Sequence, residues 1–322
     1  MSHGDADYNS RPLHRPLPSE GPVRIRKAVI TAAGPDQREL PLQTLVDRAG
    51  KTVAALRIQL EEAASAGIEE IAVVVHPDDR GRYAEAAAGA PGPRLAPSLT
   101  FVPQAQARGY AHALACAREF VGSEPFLHFV GDHLFVSDGA PRAKTDGGAA
   151  RELVALAEAE GCAISAVQST REGQLGLYGA IGGTRLRGAE NRWTIDAVLE
   201  KPTPTEAEQR LFVPGMRAGH YLCFFGMHVL SASIFAHLDA VLGATSPEAA
   251  ARHVARPSLT AALARLIGTE RWLACELPAR RINLGEKYGL LAAQLSLSLT
   301  GPDRDEVLTL ITDLLAQRER GR

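Results

Sequence analysis

From Arg26 onward, short apolar runs alternate with stretches in which apolar side chains return every three to four positions. Ala28-Val-Ile-Thr-Ala is nearly continuous, the pattern of a strand buried on both faces. A polar, proline-bearing loop follows over 34–47. Leu56, Leu60, Ala63 and Ala64 then fall on one face of a helix that Gly67 closes. The same reading predicts strands at 71–75, 99–102, 126–130 and 163–167, and helices at 79–88, 110–120 and 147–160. Strand, helix and strand at short intervals mean βαβ units on a parallel sheet. Beyond 167 the rhythm changes. Strands are predicted at 178–185, 193–199, 220–227 and 273–277, and helices at 231–242, 259–267, 288–299 and 303–317. The expected fold class is α/β, with a Rossmann-like, mixed but mainly parallel central sheet covered by helices.

Residues 1–22 are polar, rich in Pro, Arg, Ser and His, and without apolar periodicity, which predicts a disordered arm. The rest, 23–322, reads as one domain. Composition narrows the function classes. Thirty-five basic against 37 acidic side chains leave a net charge of −2 on 322 residues, which argues against a nucleic-acid coat. Any anionic substrate must be held by local cations. No apolar run reaches the roughly 20 residues of a membrane span, and the N-terminus has no apolar signal region, so no membrane partner and a cytoplasmic location are expected. Cys116, Cys162, Cys223 and Cys275 lie too far apart for a disulfide framework or zinc ribbon and read as free thiols.

Ligands of open parallel sheets bind beyond the carboxyl ends of the strands. That rule selects the loops 34–41, 104–112, 131–135 and 200–204, and a fifth at 283–287. Gly131-Asp132 ends a strand on a carboxylate, which suits a Mg²⁺ shared with substrate phosphates; read alone, Asp132 fits a turn residue bonding its own loop better. His133 beside it reads as a supporting or structural residue rather than a ligand. Glu200-Lys201-Pro202 places a lysine, scarce in this arginine-rich chain, at a strand end as a compact cation for phosphate, though a solvated Glu–Lys pair explains it too. Gly34-Pro-Asp-Gln-Arg38 occupies the place of a phosphate loop, yet Pro35 has no N–H to donate and Asp36 repels phosphate. Neither a P-loop nor a nicotinamide-binding glycine motif follows the first strand.

With these motifs in place, the sequence from about Lys27 to Leu299 resembles the bacterial-type UDP-glucose pyrophosphorylases of the sugar-1-phosphate nucleotidyltransferase superfamily. Lys27 to Gly34 resembles their first strand and nucleotide loop, and Gln104 to Ala113 (QAQARGYAHA) their base-recognition loop. The resemblance implies a nucleotide-diphospho-sugar transferase fold, with a nucleotide-binding part over about 23–140 and a sugar-binding part over about 141–300. It implies nucleotide binding by Gly34, Gln104 and Gly109, sugar binding by Tyr178, Gly179, Glu200 and Gly226, metal binding by Asp132 and Asn283, and catalytic roles for Arg38 and Lys201. The implied cofactor is Mg²⁺, the partners are UTP and a hexose-1-phosphate, and the assembly is a homo-oligomer. The implied reaction makes UDP-glucose and pyrophosphate from UTP and glucose-1-phosphate.

Three departures accompany it. The family's G-x-G-x-R loop keeps only Gly34 and Arg38. Its Pro-Lys pair is skipped in Glu39 to Asp47, with Lys51 a distant substitute. Asn283 stands where the family carries a second metal-binding Asp. All three lie on the triphosphate and metal side, which motivates the alternative of a catalytically impaired homologue that binds a nucleotide, a sugar nucleotide or a protein without turnover. A glycosyltransferase is disfavoured, since Gly131-Asp-His133 is not an Asp-x-Asp motif.

Overall fold

Third from one edge of the nine-stranded sheet lies β1 (Lys27–Thr31), whose Ala28 and Ile30 face one core while Val29 faces the other. The computed structural model describes residues 23–88, 97–137, 148–244 and 257–320; the arm read at 1–22 lies outside the described residues. Continuous apolar character in β1 is therefore the mark of a strand with helices on both sides. After it come the short strands β2 (Thr44–Val46) and β3 (Thr52–Ala54), helix α1 (Ala55–Ser65), β4 (Glu70–Val75), α2 (Arg80–Ala88) and β5 (Ser98–Pro103). Next are α3 (Tyr110–Cys116), α4 (Arg118–Val121), β6 (Phe126–Val130), β7 (His133–Ser137), α5 (Ala149–Glu160) and β8 (Ala163–Arg171). The remainder comprises β9 (Gly179–Arg185), β10 (Arg192–Glu200), α6 (Pro204–Arg210), β11 (His220–Leu230), α7 (Ile234–Gly243), α8 (Leu259–Leu263), β12 (Trp272–Glu276), β13 (Ala279–Asn283), α9 (Gly289–Ser298) and α10 (Arg304–Arg320).

Nine strands pair in the order β5-β4-β1-β6-β11-β8-β12-β10-β9. The first four are parallel, as is β8 with β12. Followed through the pairings, only β11 and β10 run against the other seven, which is the mixed, mainly parallel sheet expected. The distal half also closes on itself, because β9 pairs with β11 as well as with β10. Register shifts between Ile195 and Ala197 and between Phe224 and His228 supply the bends this needs. Leu56, Leu60, Tyr83, Leu153 and Val154 fill one core, and Leu114, Ile234, Leu238, Leu259 and Leu263 the other.

Three local readings change. Instead of an unbroken loop over 34–47, Leu45 ends up buried in the β2–β3 hairpin. The expected loop at 131–135 is only Gly131-Asp132, since β7 pairs with β13 in a separate two-stranded sheet that buries Leu134 and Val136. That same β13, unforeseen, precedes the 283–287 loop. All four cysteines are free. Among the described residues no helix is long and apolar enough to cross a membrane.

Candidate active site

Chain order runs outward from β1 through β4 to β5 and then returns to β6 on the other side of β1. Where strand order reverses in this way, loops diverge and leave a crevice. Above it lies a cavity of about 610 Å³. Its lining includes Gly34, Gln104, Gly109, Asp132, Tyr178, Gly179, Glu200, Lys201, Gly226 and Asn283, so ten of the eleven residues singled out in the sequence share one cleft.

Arg38 is the exception. It does not line the cleft; its guanidinium pairs with the buried carboxylate of Asp79 at 3.3 Å, and its carbonyl accepts from the Tyr83 hydroxyl at 2.8 Å. The turn that carries it is closed by the Gln37 and Arg38 amides donating to the Gly34 carbonyl at 2.9 and 2.8 Å. That coil points Gln37, not Arg38, at the centre of the site. Among the described residues lining the cleft, Lys201 is the one lysine or arginine.

Asp132 is 6% exposed and both its carboxylate oxygens are engaged. Gln37 Nε2 donates to Oδ2 and His133 Nδ1 contacts Oδ1, each at 2.6 Å. Burial raises its pKa, but His133, a backbone hydrogen bond and Lys201 outweigh that and hold the carboxyl below its ordinary value, so it is ionised. Buried Gln59, from α1, fixes the turn by donating to the carbonyls of Gly131 at 3.1 Å and His133 at 2.6 Å. The Leu284 amide donates to the Asp132 carbonyl at 2.8 Å, tying this turn to the end of β13. Asn283, opposite His133 in that pairing, accepts from the Gly285 amide through Oδ1 at 2.8 Å. Asp132 and Asn283 thus offer oxygen donors with one negative charge, a set suited to an ion that keeps water and phosphate oxygens. No group of three or more His, Cys, Asp and Glu side chains gathers among the described residues, so a bound ion would draw its other ligands from substrate and solvent.

At the opposite end, Lys201 follows β10 with φ of 45°, the one left-handed non-glycine residue among those described. Such a backbone costs about 1–3 kcal/mol and persists only where neighbours enforce it. Here the Lys201 amide donates to the Tyr178 carbonyl at 3.1 Å, and Pro202 is buried behind it. Glu200 stands opposite Gly179. The Tyr178 hydroxyl donates to Glu286, and the Arg281 guanidinium lies 3.5 Å from the Tyr178 ring centre. Burial, with help from Glu286 and against Arg281, pushes the Tyr178 hydroxyl up to about 12, so it stays protonated. Gly226 sits in the β11 bulge at φ of 85°, where a Cβ would come within 2.6 Å of Val130; only glycine fits.

The third side of the cleft is the start of α3. Buried Gln104 receives its fold from β5, its amide donating to the Val75 carbonyl at 2.9 Å. Gln104 Nε2 donates to the Gly109 carbonyl at 3.2 Å and lies 2.9 Å from His112 Nδ1. Beneath this end, the buried rings of His128 and His228 stack 6.1 Å apart, tied to the Tyr110 hydroxyl and to Ser165. Gln37, Gln59, His112 and Thr260, which also lines the cleft, were not singled out in the sequence.

The sequence matches the family model described as nucleotidyl transferase over residues 28–246. It is similar to a Bacillus subtilis (strain 168) protein named UTP–glucose-1-phosphate uridylyltransferase YngB, at 26% identity across 92% of this chain and 98% of that one. The fold is similar to that of a UDP-glucose pyrophosphorylase complexed with UDP-glucose, at TM-score 0.63 and 22% identity over 84% of this chain and 97% of that one. It is also similar to a UTP-bound UGPase from Acinetobacter baumannii, at TM-score 0.66 and 22% identity over 90% and 99%.

Proposed function

We propose that this chain, which belongs to the nucleotidyl transferase family, transfers a uridylyl group from UTP to glucose-1-phosphate, giving UDP-glucose and pyrophosphate. The carrying observation is that Gln104, Asp132 and Lys201 line one cleft at the switch point of the sheet. The B. subtilis relative bears the name of this activity over nearly its full length. The alternative of a binder without turnover gains no support from the relatives, each of which carries an enzyme's name.

An oxygen of the sugar phosphate attacks the α-phosphorus of UTP, and the bond from that phosphorus to the bridging oxygen of the β-phosphate breaks. The electron pair leaves with pyrophosphate, and no protein nucleophile is needed. Two anions must meet in line, so catalysis is positioning and placement of positive charge. Gln104 and the backbone at Gly109 and Gly34 hold the nucleotide. Tyr178, Gly179, Glu200 and Gly226 border the hexose, with Glu200 accepting from its hydroxyls. The Lys201 ammonium orients the acceptor phosphate, and the strained backbone beneath it fixes where that charge sits. Asp132 and Asn283 would hold a divalent cation, for which we infer Mg²⁺; when bound it would neutralise charge on the phosphates. Arg38 takes no direct part while its ion pair with Asp79 persists. A homo-oligomeric assembly in the cytoplasm, with the nucleotide-binding part at 23–140 and the sugar-binding part at 141–300, belongs to the same proposal.

The test is pyrophosphate release from UTP and glucose-1-phosphate with Mg²⁺. Release that depends on both substrates and is lost in Lys201→Ala is the expected result. No release above a protein-free control, across several hexose-1-phosphates, would overturn the reading.

A further inference from the structure

The Gln104 side chain has two chemically opposite ends, and a pyrimidine would meet one of them. The Gly109 carbonyl can only accept, so the atom 3.2 Å from it must be the amide nitrogen, and Gly109 takes one of its two hydrogens. The other hydrogen points at His112 Nδ1, 2.9 Å away, which must then be the unprotonated nitrogen of a neutral ring. Burial, and next the Arg108 guanidinium, push the His112 pKa down, so the neutral form holds at neutral pH. With both amide hydrogens used, Gln104 Oε1 accepts from none of the described residues, and it is not a buried unpaired atom. It is the end left to the cleft that Gln104 lines.

We propose that His112 is a specificity-determining positioning residue: it locks the Gln104 amide with its oxygen toward the cleft, so that the site takes a base with an N3–H and rejects cytosine. The inference rests on the uridylyl-transfer reading. Uracil presents acceptor, donor and acceptor along its pairing edge, and its N3–H meets the Gln104 oxygen. Cytosine carries a lone pair at N3, which would face that oxygen with like charge. An amide free to turn over would meet the cytosine N3 with its NH₂ instead. His112 touches no substrate in this scheme. Its effect is to join the Gly109 carbonyl in disfavouring the second of the two orientations open to the Gln104 amide.

The test compares kcat/KM for UTP, 5-methyl-UTP and CTP, with glucose-1-phosphate and Mg²⁺, in the wild-type chain and in His112→Phe, His112→Leu and His112→Asn. Ratios taken within one preparation cancel any loss of folded enzyme, and Leu serves where Phe does not fold. In His112→Phe or His112→Leu the CTP/UTP ratio should rise about tenfold, one hydrogen bond's worth of discrimination. The 5-methyl-UTP/UTP ratio should stay within about twofold, because the methyl group leaves the pairing edge unchanged. His112→Asn keeps an acceptor near the place of Nδ1 and should restore much of the wild-type preference. A CTP/UTP ratio that does not move in an active variant overturns the inference, as does one that rises together with the 5-methyl-UTP ratio. A wild-type chain inactive with UTP would instead strike the reading beneath it.

Discussion

At the base end of the cleft, the Gln104 amide nitrogen is held by the Gly109 carbonyl and by His112, and the end of that side chain left over is a single oriented oxygen. At the triphosphate end the loop after β1 presents Pro35, with no N–H, and the Asp36 carboxylate, while Arg38 is held away by Asp79. One end is organised before any ligand arrives. The other depends on charge it does not itself carry. Recognition by neutral, buried groups survives salt and solvent, whereas holding a polyanion needs cations, and on the proposed reading the cleft supplies Lys201 and an ion held at Asp132. Base and sugar binding should therefore be robust in this chain, and turnover should hinge on very few charges.

Removing Lys201, the one lysine or arginine among the described residues lining the cleft, gives the largest expected effect. Lys201→Ala should lower kcat about 10³-fold, the scale of losing a preorganised group at developing charge, with KM for UTP moved within about threefold. A loss carried by KM(UTP) instead would mean Lys201 serves the nucleotide, and the division between the two ends would fail. Next is Asp132→Asn, expected to lower kcat/KM about 10²-fold and to raise the Mg²⁺ concentration needed for half-maximal rate. Mg²⁺ titrations of both proteins check this; unchanged metal dependence would move the ion elsewhere.

The base end has its own weakness, in acid. Burial holds the His128 ring at about 4; burial and then His128 hold His228 at about 3. In the unfolded chain both would titrate near 6.5. Between those values the unfolded state binds protons that the native state refuses, so stability is complete above about pH 6.5 and falls as pH drops. Each ring contributes a slope of up to about 1.4 kcal/mol per pH unit, or roughly 2 kcal/mol each between pH 7 and 5. Urea unfolding at the two pH values should show that loss, and His228→Asn, which can still bond Ser165, should reduce it by about half. An equal acid loss in wild type and variant would show that these rings are not the groups responsible.

What the sequence revealed and what it hid divide along the same physical line. Asp132 and Glu200-Lys201-Pro202 were legible because their meaning is local: each closes an apolar strand whose pattern can be read in a dozen residues, whereas Tyr178-Gly179, at the start of β9, was legible only through the family resemblance. The β7–β13 pairing joins 133–137 to 279–283 and has no local signature, so 133–135 reads as loop in the sequence and the bridge between Asp132 and Asn283 is not visible there. Arg38 matched a motif, but a side chain's partner is chosen in three dimensions, and Asp79 lies forty-one positions away. His112 did leave a trace, as the lone polar residue in the apolar stretch Tyr110-Ala-His-Ala-Leu-Ala-Cys116, one turn from the loop it serves. Gln59 shows the same signal, a polar residue on the buried face of α1.

The smallest effect is also the one aimed most directly at the contrast between the two ends. If the triphosphate end is weak because its charges are wrong, then correcting them should improve turnover without touching base preference. Asp36→Gly removes a carboxylate from the lining and frees the loop backbone, and Asn283→Asp adds a charge beside Asp132. Asp36 is exposed, so water already screens most of its repulsion and the gain must be modest. The double variant should raise kcat/KM for UTP up to about tenfold and lower the half-saturating Mg²⁺ concentration, since a second carboxylate strengthens the oxygen set. The CTP/UTP ratio should stay within about twofold, because Gln104 and His112 are untouched. A gain in rate with altered base preference would show that the two ends are coupled through the loop. No gain at all would place the limit on turnover in the backbone of the Gly34 turn, where Pro35 withholds a donor that no change of charge restores.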